Sequence, residues 1–151
     1  MASFGWPEFL FILRSAGWTL LLTAVAFCVG GLLGGALAIL RLSPNRLLRG
    51  FASGWILVIQ SIPVLMVLFM SYYGLSLIGI ELPAFFAASL SLSIYVSAYL
   101  AEIWRGSIES VPFQQWEASE SLALTRAQQY RHVILPQAVR ISLPPTVGFL
   151  V

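Results

Sequence analysis

Apolar and polar positions are unevenly spread along these 151 residues. Long stretches of Leu, Ile, Val, Phe and Gly are separated by short polar ones, and the charges mark the boundaries. No charged residue lies between Arg14 and Arg41 (26 residues), between Arg49 and Glu81 (31), or between Glu81 and Glu102 (20). A helix crossing about 30 Å of hydrocarbon needs roughly 20 apolar residues, so each window is long enough for a span. The first span is expected over residues 17–40. The second window is too long for one upright helix, since 31 residues would reach about 46 Å. Pro63 breaks it, because it has no N–H for residue 59 and disfavours helix at the residue before it. "SPNRLLRGFASGWILVIQ" is therefore expected to be a short interfacial helix entering the bilayer, with spans over 63–80 and 83–104. A fourth apolar run begins after Arg140 with 11 residues remaining. That run predicts an incomplete fourth span, about 137–151, in a truncated protein.

One segment breaks this pattern. From Gln114 to Gln137, "QQWEASESLALTRAQQYRHVILPQ", polar residues crowd into two short amphipathic runs. A first helix is expected from about Phe113 to Leu122, capped by Ser110 with Pro112 in its first turn. Thr125 and Gln128 match the T-x-x-Q capping box that opens a second helix, expected to end near Leu135, before Pro136. Two short helices at about 110–135, between spans, suit either a docking element or an amphipathic loop on lipid headgroups.

Composition and charge refine this picture. The chain is 59% hydrophobic and 9% charged, against about 25% charged in soluble domains; this is an all-α, polytopic membrane protein. A net charge of +2 without a basic stripe argues against nucleic-acid binding. The single cysteine, Cys28, excludes an intrachain disulfide framework and leaves the redox compartment open. The N-terminal residues lack the basic region and cleavage site of a removable signal peptide. If the first span exits to the cytoplasm, Arg41, Arg46, Arg49, Arg105, Arg126, Arg131 and Arg140 all face it and only Arg14 lies outside. The positive-inside bias then places the N-terminus outside and the polar insert inside.

The run "WEASESLALTRAQQYRHVILP" resembles the EAA motif of ABC importer permeases, E-A-A-x-x-x-G-x9-I-x-L-P. Glu117, Ala118 and Ser119 take the E-A-A positions, Ala123 the Gly, Val133 the Ile, and Leu135 and Pro136 the L-P. "SAYLAEIWRGSIESVPFQQWEA", "LPQAVRISLPP" and "GWTLLLTAVAFCVGGLLGGALAILRLS" are similar to the polar amino-acid branch, the histidine/glutamine/arginine/opine-type permeases. The likeness covers roughly residues 17–148. It implies the type I ABC importer permease fold of five transmembrane helices, of which this chain would hold three full spans and the start of a fourth. It also implies an ATPase dimer on the cytoplasmic face, a second permease subunit, identical or paralogous, and an extracytoplasmic amino-acid-binding protein. The insert would be the coupling helices that sit in a cleft of the ATPase, with Glu117, Ala118, Ser119, Ala123, Leu135 and Pro136 as coupling residues. No G-x-x-x-x-G-K-[ST] loop is present, so no cofactor is expected in this chain and ATP would be bound by the partner. Three positions depart from the family: Ser119 replaces Ala, Ala123 replaces Gly, and Gln60-Ser61-Ile62-Pro63 stands for R-G-T-P. An Ala at a left-handed turn would cost on the order of 1 kcal/mol.

The remaining polar residues have two readings each. Glu102, Arg105 and Glu109 share a helical face, as an ion-pair ladder at the membrane edge or as a gate on the pathway. Gln60, Ser61 and Ser71 suit a polar path or, for the first two, packing at the kink. Gly30/Gly34 and Gly31/Gly35 predict close helix approach, with Thr23 and Cys28 packed between helices. Trp6, Trp18, Trp55 and Trp104 fall near the expected interfaces. His132, the only histidine, fits interface packing better than metal binding; an intramembrane hydrolase using it lacks an acid–base partner and a G-x-S-x-G turn. An inserted but non-functional fragment is the other alternative.

Overall fold

The computed structural model describes residues 5–150, all helix and connecting turns. We label the helices α1 (Trp6–Arg41), α2 (Arg46–Ser61), α3 (Val64–Leu77), α4 (Ala84–Glu109), α5 (Phe113–Ser121) and α6 (Arg126–Leu150). Helices α1, α4 and α6 are long and apolar enough to cross a membrane, and α2 and α3 form a pair bent by 100°.

Helix α1 begins at Trp6, not at the expected Gly17. Pro7 suits its first turn, Glu8 accepts from the Gly5 N–H at 2.9 Å, and a lone Gly17 only weakens a helix that apolar neighbours sustain. At 36 residues it is about 54 Å long, so the 17–40 apolar segment lies inside a longer rod. Its buried residues are Ala26, Gly30, Gly34 and Ala38, one small residue per turn on a single face. That face lies directly on α4. A Cβ on Gly30 would stand 2.8 Å from the Ser93 carbonyl oxygen, and one on Gly34 2.9 Å from that of Ser97. The second expected pair plays another part: Gly31 and Gly35 leave room for the Trp104 ring, 3.7 and 3.5 Å from where their Cβ atoms would be. Cys28, expected between helices, is exposed, because it lies off the seam formed by positions 26, 30, 34 and 38.

The break at Pro63 is sharper than a kinked span. Asn45 caps α2 by accepting from the Leu47 N–H at 2.9 Å, and Ile62 is extended (φ −102°, ψ 128°). Helix α3 then has room for only 14 residues, about 21 Å, which is shorter than the expected 63–80 span and than the hydrocarbon layer. Gly79, at φ +83°, closes it: the Ile80 N–H reaches Leu75 O and the Gly79 N–H reaches Ser76 O, the paired bonds of a Schellman cap.

Helix α6 differs most from expectation. The helix opened by Thr125 does not stop at Leu135; it runs on to Leu150 and absorbs the fourth apolar run. Pro136 is tolerated because the turn before it, Gln129–Ile134, is π-helical, with the Leu135 N–H donating to Tyr130 O five residues back. The wider turn is the kind of local adjustment that accommodates a residue without an N–H. Apolar clusters join α1, α2 and α4 around Ala38, Ile56, Ile59, Ala98 and Ala101, and α4, α5 and α6 around Val111, Ile134 and Ala138.

Candidate functional site: a polar hairpin beyond the helix seam

Helix α5 and the first turns of α6 form a hairpin just past the end of α4. Ser110 does not cap α5; its Oγ donates to Ser107 O at the end of α4, and Pro112 starts the new helix. The turn at Ala123 holds a second Schellman cap: the Ala123 N–H donates to Glu120 O at 2.8 Å and the Leu124 N–H to Ser119 O at 3.2 Å. Ala123 has φ +54°, the left-handed conformation that glycine adopts at no steric cost. The capping box follows at once, with the Thr125 N–H donating to Gln128 Oε1 at 2.9 Å and the Gln128 N–H to Thr125 Oγ1 at 3.4 Å. Across the turn Arg126 approaches Glu120 at 3.5 Å.

The hairpin has an inside and an outside. Inside, Trp116 meets Tyr130 edge-on at 5.2 Å, and Gln129 and Ile134 are buried. Ser119 also faces inward, 2% exposed, donating to Trp116 O at 2.7 Å. It packs the hairpin and takes no part in its outer surface, because α5 turns that face onto α6. Outside, Glu117, Ala118, Ala123 and Pro136 are exposed, and Leu135, exposed as well, lines an apolar groove beside Ala38, Leu42 and Ile108. Glu117 has no ion-pair partner among the described residues. His132 is exposed on the same hairpin, its Nδ1 3.2 Å from Gln128 O.

Several other singled-out side chains make bonds within the bundle. Gln60 Nε2 donates to Ala98 O at 3.3 Å, across to α4, and Ser61 Oγ to Leu57 O at 2.6 Å within α2. The first bond ties the end of α2 to α4 beside the break, and the second lies within the last turn of α2. Trp104 is packed against α1 and donates to Thr146 Oγ1 of α6 at 3.2 Å. Arg105 bonds Glu102 at 2.7 Å and also Glu109, which makes the ladder. Sequence reasoning missed its fourth member: Arg41 Nε donates to Glu102 Oε1 at 3.0 Å, joining α1 to α4. The signal was available in helical phase, because Gly34, Ala38 and Arg41 stand at i, i+4 and i+7 on the seam face.

Three comparisons bear on this arrangement. Residues 28–148 match the family described as the binding-protein-dependent transport system inner membrane component. The chain is 40% identical over 143 residues to the probable amino-acid ABC transporter permease protein YckA of Bacillus subtilis, covering 95% of this chain and 63% of that protein. It is 33% identical to the nopaline transport system permease protein NocM of Agrobacterium fabrum, covering 88% of this chain and 59% of the relative. The chain thus spans about three-fifths of the length of these relatives. Among solved structures, an amino acid ABC transporter crystallised with histidines superimposes with a TM-score of 0.85 at 35% identity, over 99% of this chain and 72% of that one. The MetNI methionine ABC transporter, at 21% identity, gives 0.71 over 97% of this chain and 71% of the other, a likeness of fold.

Proposed function

The chain belongs to the family of binding-protein-dependent transport system inner membrane components, and on that premise we propose that it serves as permease subunit of an ATP-driven amino-acid importer. It is a multi-pass membrane protein of the type I ABC importer permease fold. In the proposed assembly it pairs with a second permease subunit to form the translocation pathway. An extracytoplasmic binding protein delivers the amino acid, and an ATPase dimer binds the hairpin on the cytoplasmic side, with the N-terminus outside. ATP is bound and hydrolysed by that partner, and this chain carries out no catalysis.

The observation that carries this reading is the two-sided hairpin. Its inner face is fixed by Trp116, Tyr130, Ser119 and Ile134, so it can move as a rigid body. Its outer face offers Glu117, free to accept a charge-assisted bond from an ATPase arginine, beside Ala118, small enough to enter a groove. Ala123 shapes the turn, and Leu135 and Pro136 lie where the hairpin passes into the last helix. Closure of the ATPase dimer would push this body and switch access to the pathway. Co-purification with the ATPase, followed by Glu117→Ala, tests it. Substrate-stimulated ATP hydrolysis should fall by about tenfold, the scale of one lost charge-assisted bond, with membrane insertion unchanged. Unchanged stimulation and complex formation would defeat the reading.

A further inference from the structure

Between the helix seam and the hairpin lies a chain of four charges whose geometry joins them. Glu102 divides its carboxylate, Oε1 accepting from Arg41 Nε at 3.0 Å and Oε2 from Arg105 Nη2 at 2.7 Å. Arg105 uses its other terminal nitrogen on Glu109, the last residue of α4. The side chains of Arg41, Glu102 and Arg105 are only 21–27% exposed. Isolated surface pairs contribute little, but here one carboxylate is shared by arginines of two helices, and three of the four members are partly withdrawn from water. Removing one member therefore leaves a charge unmatched at the point where α1 and α4 leave their apolar seam. Immediately beyond Glu109, Val111 is buried against Ile134 and Ala138, so the hairpin core begins two residues after the network ends.

We propose that Arg41 is a positioning residue for energy coupling. It clasps the end of α1 to Glu102, and through Arg105 and Glu109 to the root of the hairpin, so that hairpin displacement is transmitted to α1 together with α4. This rests on the reading that the hairpin docks the ATPase. It assigns Glu102 and Arg105 to transmission between helices, since their polar atoms are taken up by each other and by Arg41 and Glu109. The glycine seam makes α1 and α4 one body along their middles, and the clasp extends that body past Ala38 and Ala101 to where the hairpin starts.

The test uses the full transporter with its ATPase and binding protein, comparing Arg41→Gln, Arg41→Lys and Arg14→Gln. In Arg41→Gln, the complex and its basal ATP hydrolysis should persist while substrate stimulation falls about tenfold, within the range of ordinary site-to-site coupling. Amides of residues 106–113 should also exchange hydrogen faster. Arg41→Lys should keep most of the stimulation, because the contact is a single N–H···O bond that an ammonium can replace. Arg14→Gln, at an exposed arginine far along α1, should match the wild type. Unchanged stimulation in Arg41→Gln with the complex intact, or unchanged exchange at 106–113, would overturn the proposal. A wild-type chain that forms no complex with the ATPase would instead remove the docking reading, and this inference with it.

Discussion

The α1–α4 seam and the hairpin beyond it are held in shape by opposite means. The seam works by exclusion: Ala26, Gly30, Gly34 and Ala38 let two backbones approach until no Cβ would fit between Gly30 and Ser93. Without a hydrophobic drive between helices in lipid, such van der Waals contact is what association rests on. The hairpin works by local hydrogen bonds, a Schellman cap running straight into a capping box, around a small aromatic core. The first device uses the whole face it organises. The second organises a turn and leaves the outer face unused. A bundle thus supplies rigidity where helices must not part and, beyond it, a self-contained body with a spare surface.

That comparison is sharpest in variants that add or remove one methyl or one hydroxyl. The largest effect is expected at the seam. Gly30→Ala sets a methyl 2.8 Å from a backbone oxygen and should lower stability by about 2–3 kcal/mol, the upper range for overpacking. Gly31→Ala, whose nearest neighbour is the Trp104 ring edge at 3.7 Å, should be nearly neutral. Thermal unfolding of both in detergent checks this, and equal losses would mean that the two glycine faces do not differ.

In the hairpin, Thr125→Ala removes the Oγ1 that accepts from the Gln128 N–H and should cost about 1 kcal/mol. Faster amide exchange in the first turn of α6 reports it, and exchange unchanged there would show that the box is idle. The smallest effect has the opposite sign. Ala123 adopts φ +54° where the equivalent cap on α3 uses Gly79 at +83°. Ala123→Gly should therefore relieve strain and raise the unfolding temperature, by a free energy of up to about 1 kcal/mol. A lower temperature would mean that the turn prefers a side chain.

Much of this was legible in the sequence, for reasons that differ by region. The charge-free windows reported the apolar helices because hydrocarbon forbids unpaired charge. The hairpin was legible because Thr125, Gln128 and Ala123 act within a few residues of each other, and local chemistry is what a linear reading captures. The ends of helices were less so. Gly17 and Pro136 are breakers by propensity, yet α1 runs through the first on the strength of its apolar chain neighbours and a π-turn carries α6 past the second. Ser119 turned out to face inward because its direction depends on where α6 lies, which α5 alone does not reveal. Arg41 was overlooked for the same reason: its partner is 61 positions away and becomes adjacent only once the glycine seam closes.

On the proposed function, the hairpin's outer face meets the ATPase, whereas the exposed apolar faces of the spans do not. A photoreactive side chain at Ala118, compared with one at Leu32, which is 80% exposed on α1, tests this in membranes containing the complete transporter. Crosslinking from position 118 to the ATPase subunit, with none from position 32, is the predicted result. Adducts from position 118 to lipid alone would contradict the account.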